Sequence, residues 1–401
     1  TYASIIAIEL PFVVDAIISG TDISPGFRQL NVPEFQVAGG RIRRMNDHYY
    51  LMGGQKFLGR YNPMGPDHGP GFIQEYTNAI REFDLFDDGI TMSITQVELT
   101  TDSTNLHRRD YNAEAQIMPD GNEGLTMFSG VFQPTQDLPF LNAVVIDDSG
   151  YEVATGFQQY YNHYHCPTLP LYAQQDNAMH TVFFGGIAQY YDSLGVMVQD
   201  NNVPFVKTIA RVTRDASGTM AEFKLPASMP GYLGAGAELI PIPDLPTYPN
   251  GVINLDELTA DTTLAGYIFG GINSSASNIF WINDGTQSEA STQCFKVLLV
   301  KNSTSSVHSF NDFSRGTLKM TVYPNPNEGN FVVKYFLTQV DQVLLTISDE
   351  DGRVIEKLEL QNQVVGENYF ERKVKGLSKR GAIYVMLETP YEKAVQKVIT
   401  N

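Results

Sequence analysis

Cysteine is nearly absent from this 401-residue chain: Cys166 and Cys294 are the only two. That is too few for a disulfide framework or a four-thiolate metal site. Trp281 is the only tryptophan, and no run of about 18 apolar residues exists to span a membrane as a helix. Basic residues are also short, 27 against 45 acidic, leaving a net charge of −18 and a pI near 4.7. Such a surface repels phosphate backbones, so nucleic acid is excluded as a general partner. Charged residues are only 18 % of the chain and hydrophobic ones 42 %, which separates it from a disordered acidic tail. What is plentiful is Gly (34), Pro (21), Tyr (21) and Phe (23), a mixture suited to short strands and tight turns. The composition reads as all-β, with room for two or three domains.

One element recurs through the first three-quarters of the chain. An apolar run ends in two small residues four times: Leu51-Met52-Gly53-Gly54, Met127-Phe128-Ser129-Gly130, Phe183-Phe184-Gly185-Gly186 and Ile268-Phe269-Gly270-Gly271. A short strand and a polar turn precede the copies, over 36–47, 112–121, 169–177 and, before a Pro- and Asp-rich insertion, 235–242. A third strand follows each, at 79–85, 142–146, 207–213 and 294–300. A fourth follows in three of them, at 90–99, 151–157 and 220–225. Consecutive four-stranded units with no helical period between them read as a β-propeller, because each small sheet has two apolar faces that only neighbours can cover. The paired glycines are expected where backbones crowd and positive φ is needed.

This pattern resembles the kelch repeat over residues 1–302, departing from it at Ser129 and in lacking most of the downstream Tyr and Trp positions. The resemblance implies a kelch-like propeller. Residues 2–10 align by eye with 76–85, so the chain is expected to begin at the third strand of a blade, with one or two blades upstream. A five-bladed ring closed by the C-terminal segment is the competing expectation. Segments 5–10 and 12–18 read as strands.

Residues 303–317 are small and polar and read as a linker. From 318 the pattern changes to short alternating strands at 331–336, 342–348, 354–360, 368–374, 382–388 and 393–400, the spacing of a small Ig-like β-sandwich. Tyr323-Pro324-Asn325-Pro326 with Gly329, Asp351-Gly352-Arg353-Val354, Gly381-Ala382-Ile383-Tyr384 and the terminal Lys397-Val398-Ile399 resemble, in order, a type A C-terminal sorting domain of the type IX secretion system. The resemblance covers 318–401. It implies export to the cell surface or medium of a Gram-negative bacterium, with the secretion machinery as partner.

Chemistry-bearing motifs are sparse. Gly-x-Ser-x-Gly, His-Glu-x-x-His and phosphate-binding glycine loops are missing. His163 and His165 would share a strand face and, with a carboxylate, offer zinc a start, but no further ligands stand at a recognisable spacing. No metal or cofactor is therefore expected. Glu75, Asp84, Asp147 and Asp148 are candidate members of a glycosidase pair, though the two Asp-Asp runs at 87–88 and 147–148 read as turns. His107-Arg108-Arg109 reads as a source of local salt bridges. The aromatic stretch Tyr160, Tyr161, His163 and Tyr164, with Tyr190 and Tyr191, is the candidate binding surface, since Tyr rings beside amides suit sugars or peptides. The expectation is a binding or adhesion propeller for glycan or protein. The rival is a secreted carbohydrate-active or oxidising enzyme, which would converge acidic or His side chains on the central funnel.

Overall fold

The computed structural model describes the chain apart from residues 60–71, 194–195, 280–285, 302–317, 328, 338–341, 350–352, 362, 375–380, 390–392 and 401. The expected linker 303–317, Trp281 and Gly352 therefore lie outside the described residues. The chain divides into two compact units, Thr1–Ser303 and Thr304–Asn401.

The first unit opens with β1 (Ser4–Ile8), helix α1 (Leu10–Ser19) and β2 (Phe27–Asn31); β1 and β2 form an antiparallel pair. This corrects the reading of 12–18 as a strand. The apolar run carries helix punctuation instead: a proline at its start and Gly20 as a left-handed C-cap (φ 66°).

Four sheets then follow in chain order. The first holds β3 (Arg41–Met45), β4 (His48–Met52), β7 (Ala79–Asp87) and β8 (Met92–Thr101), with a hairpin of β5 (Gln55–Gly59) and β6 (Phe72–Tyr76) inserted after β4. The second is an unbroken meander of β9 (Asn112–Ile117), β10 (Glu123–Phe128), β11 (Ala143–Asp147) and β12 (Gly150–Val153). The third joins β13 (Thr168–Ala173), β14 (Ala178–Phe184), β17 (Thr208–Arg214) and β18 (Met220–Ser228), with the hairpin β15 (Tyr190–Ser193) and β16 (Val196–Gln199) after β14. The fourth has three strands: β19 (Ala237–Pro241), β21 (Thr262–Gly270) and β24 (Cys294–Val300). It carries two insertions: β20 (Ile253–Asn254) lies before β21, and the hairpin β22 (Ile272–Ser274) and β23 (Ser288–Ala290) after it. β20 leaves its own sheet and pairs in parallel with β13.

The first strands of successive sheets lie against one another, β3 beside β9, β9 beside β13 and β13 beside β19. Backbone hydrogen bonds link the residues entering them: Asp110 N–H to Gly39 O (2.7 Å), His165 N–H to Asp110 O (2.9 Å) and Gly236 N–H to His165 O (3.0 Å). This stepwise progression of innermost strands is the β-propeller arrangement. Apolar side chains fill the space between neighbouring sheets: Met45, Met52, Leu125, Met127 and Tyr111 in one cluster, Leu171, Val182, Ile209, Ala265 and Ile268 in another.

The second unit is a two-sheet sandwich. One sheet orders β25 (Lys319–Tyr323), β26 (Asn330–Leu337) and β29 (Gly366–Lys373); the other orders β28 (Val354–Leu360), β27 (Val343–Ser348), β30 (Gly381–Glu388) and β31 (Lys393–Thr400). Alternation builds its core, as Phe331, Val333, Tyr335 and Leu337 of β26 all point inward. The Tyr323–Pro326 segment is tied to the final strand. Asn325 Nδ2 donates to Lys397 O (3.0 Å), Ile399 N–H donates to Asn325 Oδ1 (2.8 Å), and the Lys397 ammonium sits 5.9 Å from the Tyr384 ring centroid.

Candidate functional site

Innermost strands crowd at their backbones, so alternate side chains must point into the space they enclose. Here that space is a cavity of about 810 Å³ walled by β3, β9, β13 and β19. Arg43, Glu114, Thr168 and Glu238, one from each strand, line it. The insertion before β21 forms a further wall with Pro243, Pro249, Asn250 and Ile253, held by the β20–β13 pairing and by Asn250 Nδ2 donating to Gln116 O (3.1 Å).

Every acid whose contacts define this cavity already has a donor. Arg43 Nη2 meets Glu114 Oε1 at 3.0 Å, and Thr168 Oγ1 donates to the same oxygen at 2.7 Å. His165 Nε2 lies 3.1 Å from Glu238 Oε1, and this contact holds the Glu238 carboxyl below its usual range. Glu123 accepts Asn46 N–H at 2.8 Å. Arg41, beside them on β3, donates from Nε to Tyr111 O (3.2 Å); burial pushes its guanidinium down, opposed by Glu238 and Glu114. The result is a fixed alternation of positive and negative groups in a partly dry recess. It suits orienting a polar ligand by hydrogen bonds. Glycoside hydrolysis needs a carboxyl held protonated near neutrality. Among the described residues the one carboxyl that burial raises far, Glu222 at about 8, sits on β18 and accepts the Tyr160 and Tyr161 N–H groups at 2.5 and 3.1 Å.

The aromatic stretch is the connector that carries the chain from the second sheet to the third, and most of it faces inward. Tyr161 and His163 are buried, and Tyr160, Tyr164, Tyr190 and Tyr191 are half-buried. Both ring nitrogens of His163 are used: Nε2–H donates to Gln159 O (2.9 Å) and Nδ1 accepts Gln189 N–H (3.0 Å). Burial lowers this imidazole to about 4, so it is neutral. Tyr160 and Tyr190 pack edge to face at 5.1 Å. Asn162 donates to the carbonyls of Gly185 and Thr208. Of the six, only Tyr164 lines a described recess, a small one at the connector end of the sheets.

The zinc option dissolves for the same reason. His163 and His165 lie in a loop rather than a strand, one ring committed inward and the other to Glu238. Among the described residues no group of three or more His, Cys, Asp or Glu is placed to hold a metal. Cys166 is a buried thiol raised to about 12, Cys294 is exposed, and the two are unpaired. Nor do the four candidate carboxylates converge. Glu75 pairs with Lys56 (3.5 Å), Asp84 with His48 (2.7 Å), Asp147 caps the Ser149 turn, and Asp148 accepts from Asn46. The basic island also differs from expectation. Arg109 pairs with Asp110, but Arg108 is fully buried with no carboxylate, donating to the carbonyls of Asn105, Ser129 and Asn142 and stacking 4.1 Å from the Phe140 centroid.

The repeated small pairs all adopt positive φ: 51° and 80° at Gly53-Gly54, 55° and 104° at Ser129-Gly130, 66° and 88° at Gly185-Gly186, 78° and 76° at Gly270-Gly271. In three of them the second N–H grips the incoming connector. Gly54 donates to Arg108 O (2.6 Å), Gly130 to His163 O (3.3 Å) and Gly186 to Leu233 O (2.8 Å). The cavity residues Arg43, Glu114, Thr168 and Glu238 escaped the sequence reading because each stands alone on a separate strand. The one local signal was the alternation Arg41-Ile42-Arg43 within a segment read as a strand.

No protein-family model matches the chain, and no curated protein matches it. Solved structures similar to it include YjhT, at 11 % identity and TM-score 0.40, covering 86 % of this chain and 87 % of that one. A fungal alcohol oxidase of the AA5 family with copper gives 9 % identity and TM-score 0.26, covering 95 % and 58 %. A glycoside hydrolase family 43 arabinoxylan arabinofuranohydrolase from Bacillus subtilis gives 10 % and 0.27, covering 91 % and 92 %. The fold assignment rests on the sheets themselves.

Proposed function

We propose that the chain is a kelch-like propeller exported by the type IX secretion system, and that it acts as a non-enzymatic binding module for glycan or protein. The four-sheet convergence of Arg43, Glu114, Thr168 and Glu238 on one cavity, every acid already donor-matched, is the observation that carries the binding reading. A ligand rich in hydroxyl or paired charged groups exchanges these contacts without stranding a charge. Residues 318–401 serve as the sorting domain, a reading supported by the motif order in the sequence. A secreted carbohydrate-active or oxidising enzyme is the second reading, favoured by the convergence of Glu114 and Glu238 from different sheets, with His165 against the Glu238 carboxylate. Glycan and peptide arrays probed with the full chain, beside a hydrolase and oxidase panel, separate the two. Deleting 318–401 in a bacterium carrying the system is expected to trap the protein in the periplasm. Surface display without those residues contradicts the export reading.

A further inference from the structure

The strand ends opposite the β3–β4 and β9–β10 turns carry a second recess, of about 350 Å³. It is built where the glycine pairs meet the connectors: Gln55 and Phe57 follow one pair, Phe132 follows another, and Arg109, Asp110 and Tyr164 come from the connectors. These residues are held in place. Arg109 is buried, pairs with Asp110, donates to Tyr76 Oη (3.1 Å) and lies 4.9 Å from the Phe132 centroid. Tyr76 is itself stacked on His107 at 3.7 Å. Gln55 is only 6 % exposed, yet its buried Oε1 accepts no hydrogen bond. A buried acceptor left unmatched costs stability, and such groups in a recess mark what a ligand is to supply.

We propose that this recess is a saccharide subsite taking one neutral pyranose ring, separate from the axial cavity and independent of it. Three aromatic rings call for an apolar ligand face, which a pyranose presents with its C–H groups. Gln55 Oε1 and the Asp110 carboxylate call for hydroxyl donors around that face. The Arg109–Asp110 pair is internally neutral, so a phosphate meets Asp110 and an ammonium displaces Arg109, and both are disfavoured. An aromatic peptide side chain fills the space but leaves Gln55 unmatched.

Saturation-transfer NMR of the full chain with the methyl glycosides of glucose, galactose, mannose and N-acetylglucosamine tests this. Transfer to at least one glycoside is expected. Gln55→Leu and Phe132→Ala should each weaken it by about tenfold or more, while Lys296→Ala, exposed and outside both recesses, leaves it unchanged. Because Gln55→Leu removes an unmatched acceptor, its Tm should not fall, which separates lost binding from lost folding. No transfer to any glycoside overturns the proposal. So does binding that Arg43→Ala abolishes and Gln55→Leu spares, because the sugar then sits in the axial cavity. An amidated N-acetylphenylalanine that binds here with Gln55→Leu unaffected also overturns it.

Discussion

Ser129 shows at single-residue scale what the small pairs do. It holds φ 55° where the other copies have glycine, fully buried, with Oγ donating to Phe140 O at 2.7 Å. Ser129→Ala keeps the strained backbone and strands that carbonyl, an expected loss of roughly 1–3 kcal/mol by urea denaturation. Ser129→Gly relieves the backbone while losing the bond, so its change should be the smaller of the two. Gly185→Ala is worse, since a Cβ there falls 2.2 Å from Leu233 O at φ 66°. Three titrating side chains give a second prediction. Glu222 is raised from 4.5 to about 8, so the stability it contributes is complete below pH 4.5 and is lost as pH rises towards 8. His163 and His180 are lowered from 6.5 to about 4, so theirs is complete above pH 6.5 and is lost as pH falls towards 4. Thermal denaturation across pH should therefore show a maximum near about pH 6.5 for these groups together. Glu222→Gln should flatten the alkaline side and steepen the acid side between pH 4.5 and 6.5. A maximum above pH 8 contradicts this assignment.

At the scale of elements, the connectors are fastened as firmly as the strands. Arg108 ties the connector between the first two sheets to the loop after β10 through Ser129 O and Asn142 O. Its guanidinium is fully buried and lowered to about 9 by that burial. Arg108→Met is expected to cost roughly 3 kcal/mol or more by leaving several buried carbonyls unmatched, read as a lower urea midpoint. Strand alternation and the small pairs made the sheets of both units legible from sequence, because period two and positive φ leave marks in single residues. Helix α1 was misread because Leu10–Ser19 is apolar nearly throughout, and a short apolar run has no period to choose between helix and strand. Its Pro11 and Gly20 were the better signals. The parallel pairing of β20 with β13 had no sequence mark, since it is made across the propeller between residues about 80 apart. The same separation hid the cavity: Arg43, Glu114, Thr168 and Glu238 look unremarkable one strand at a time.

For the whole molecule, the charge imbalance has an address. Residues 318–401 carry 11 basic and 11 acidic side chains, so all of the −18 belongs to the first 317 residues. Within that acidic body the axial cavity is an exception, bringing Arg43 and Arg44 in among its carboxylates, with His165 paired to Glu238. Polar ligands are thus met locally by both signs while anionic polymers are repelled at a distance. The most direct test incubates the full chain with a mixed glycan and peptide array, in parallel with Arg43→Ala and Glu238→Gln, and then recovers each bound ligand for mass analysis. Binding by the unaltered chain, weakened in both variants, with ligands recovered intact, is the expected result. Ligands recovered cleaved or oxidised, with that turnover abolished by Glu238→Gln, contradict a binding module and make the axial cavity an active site.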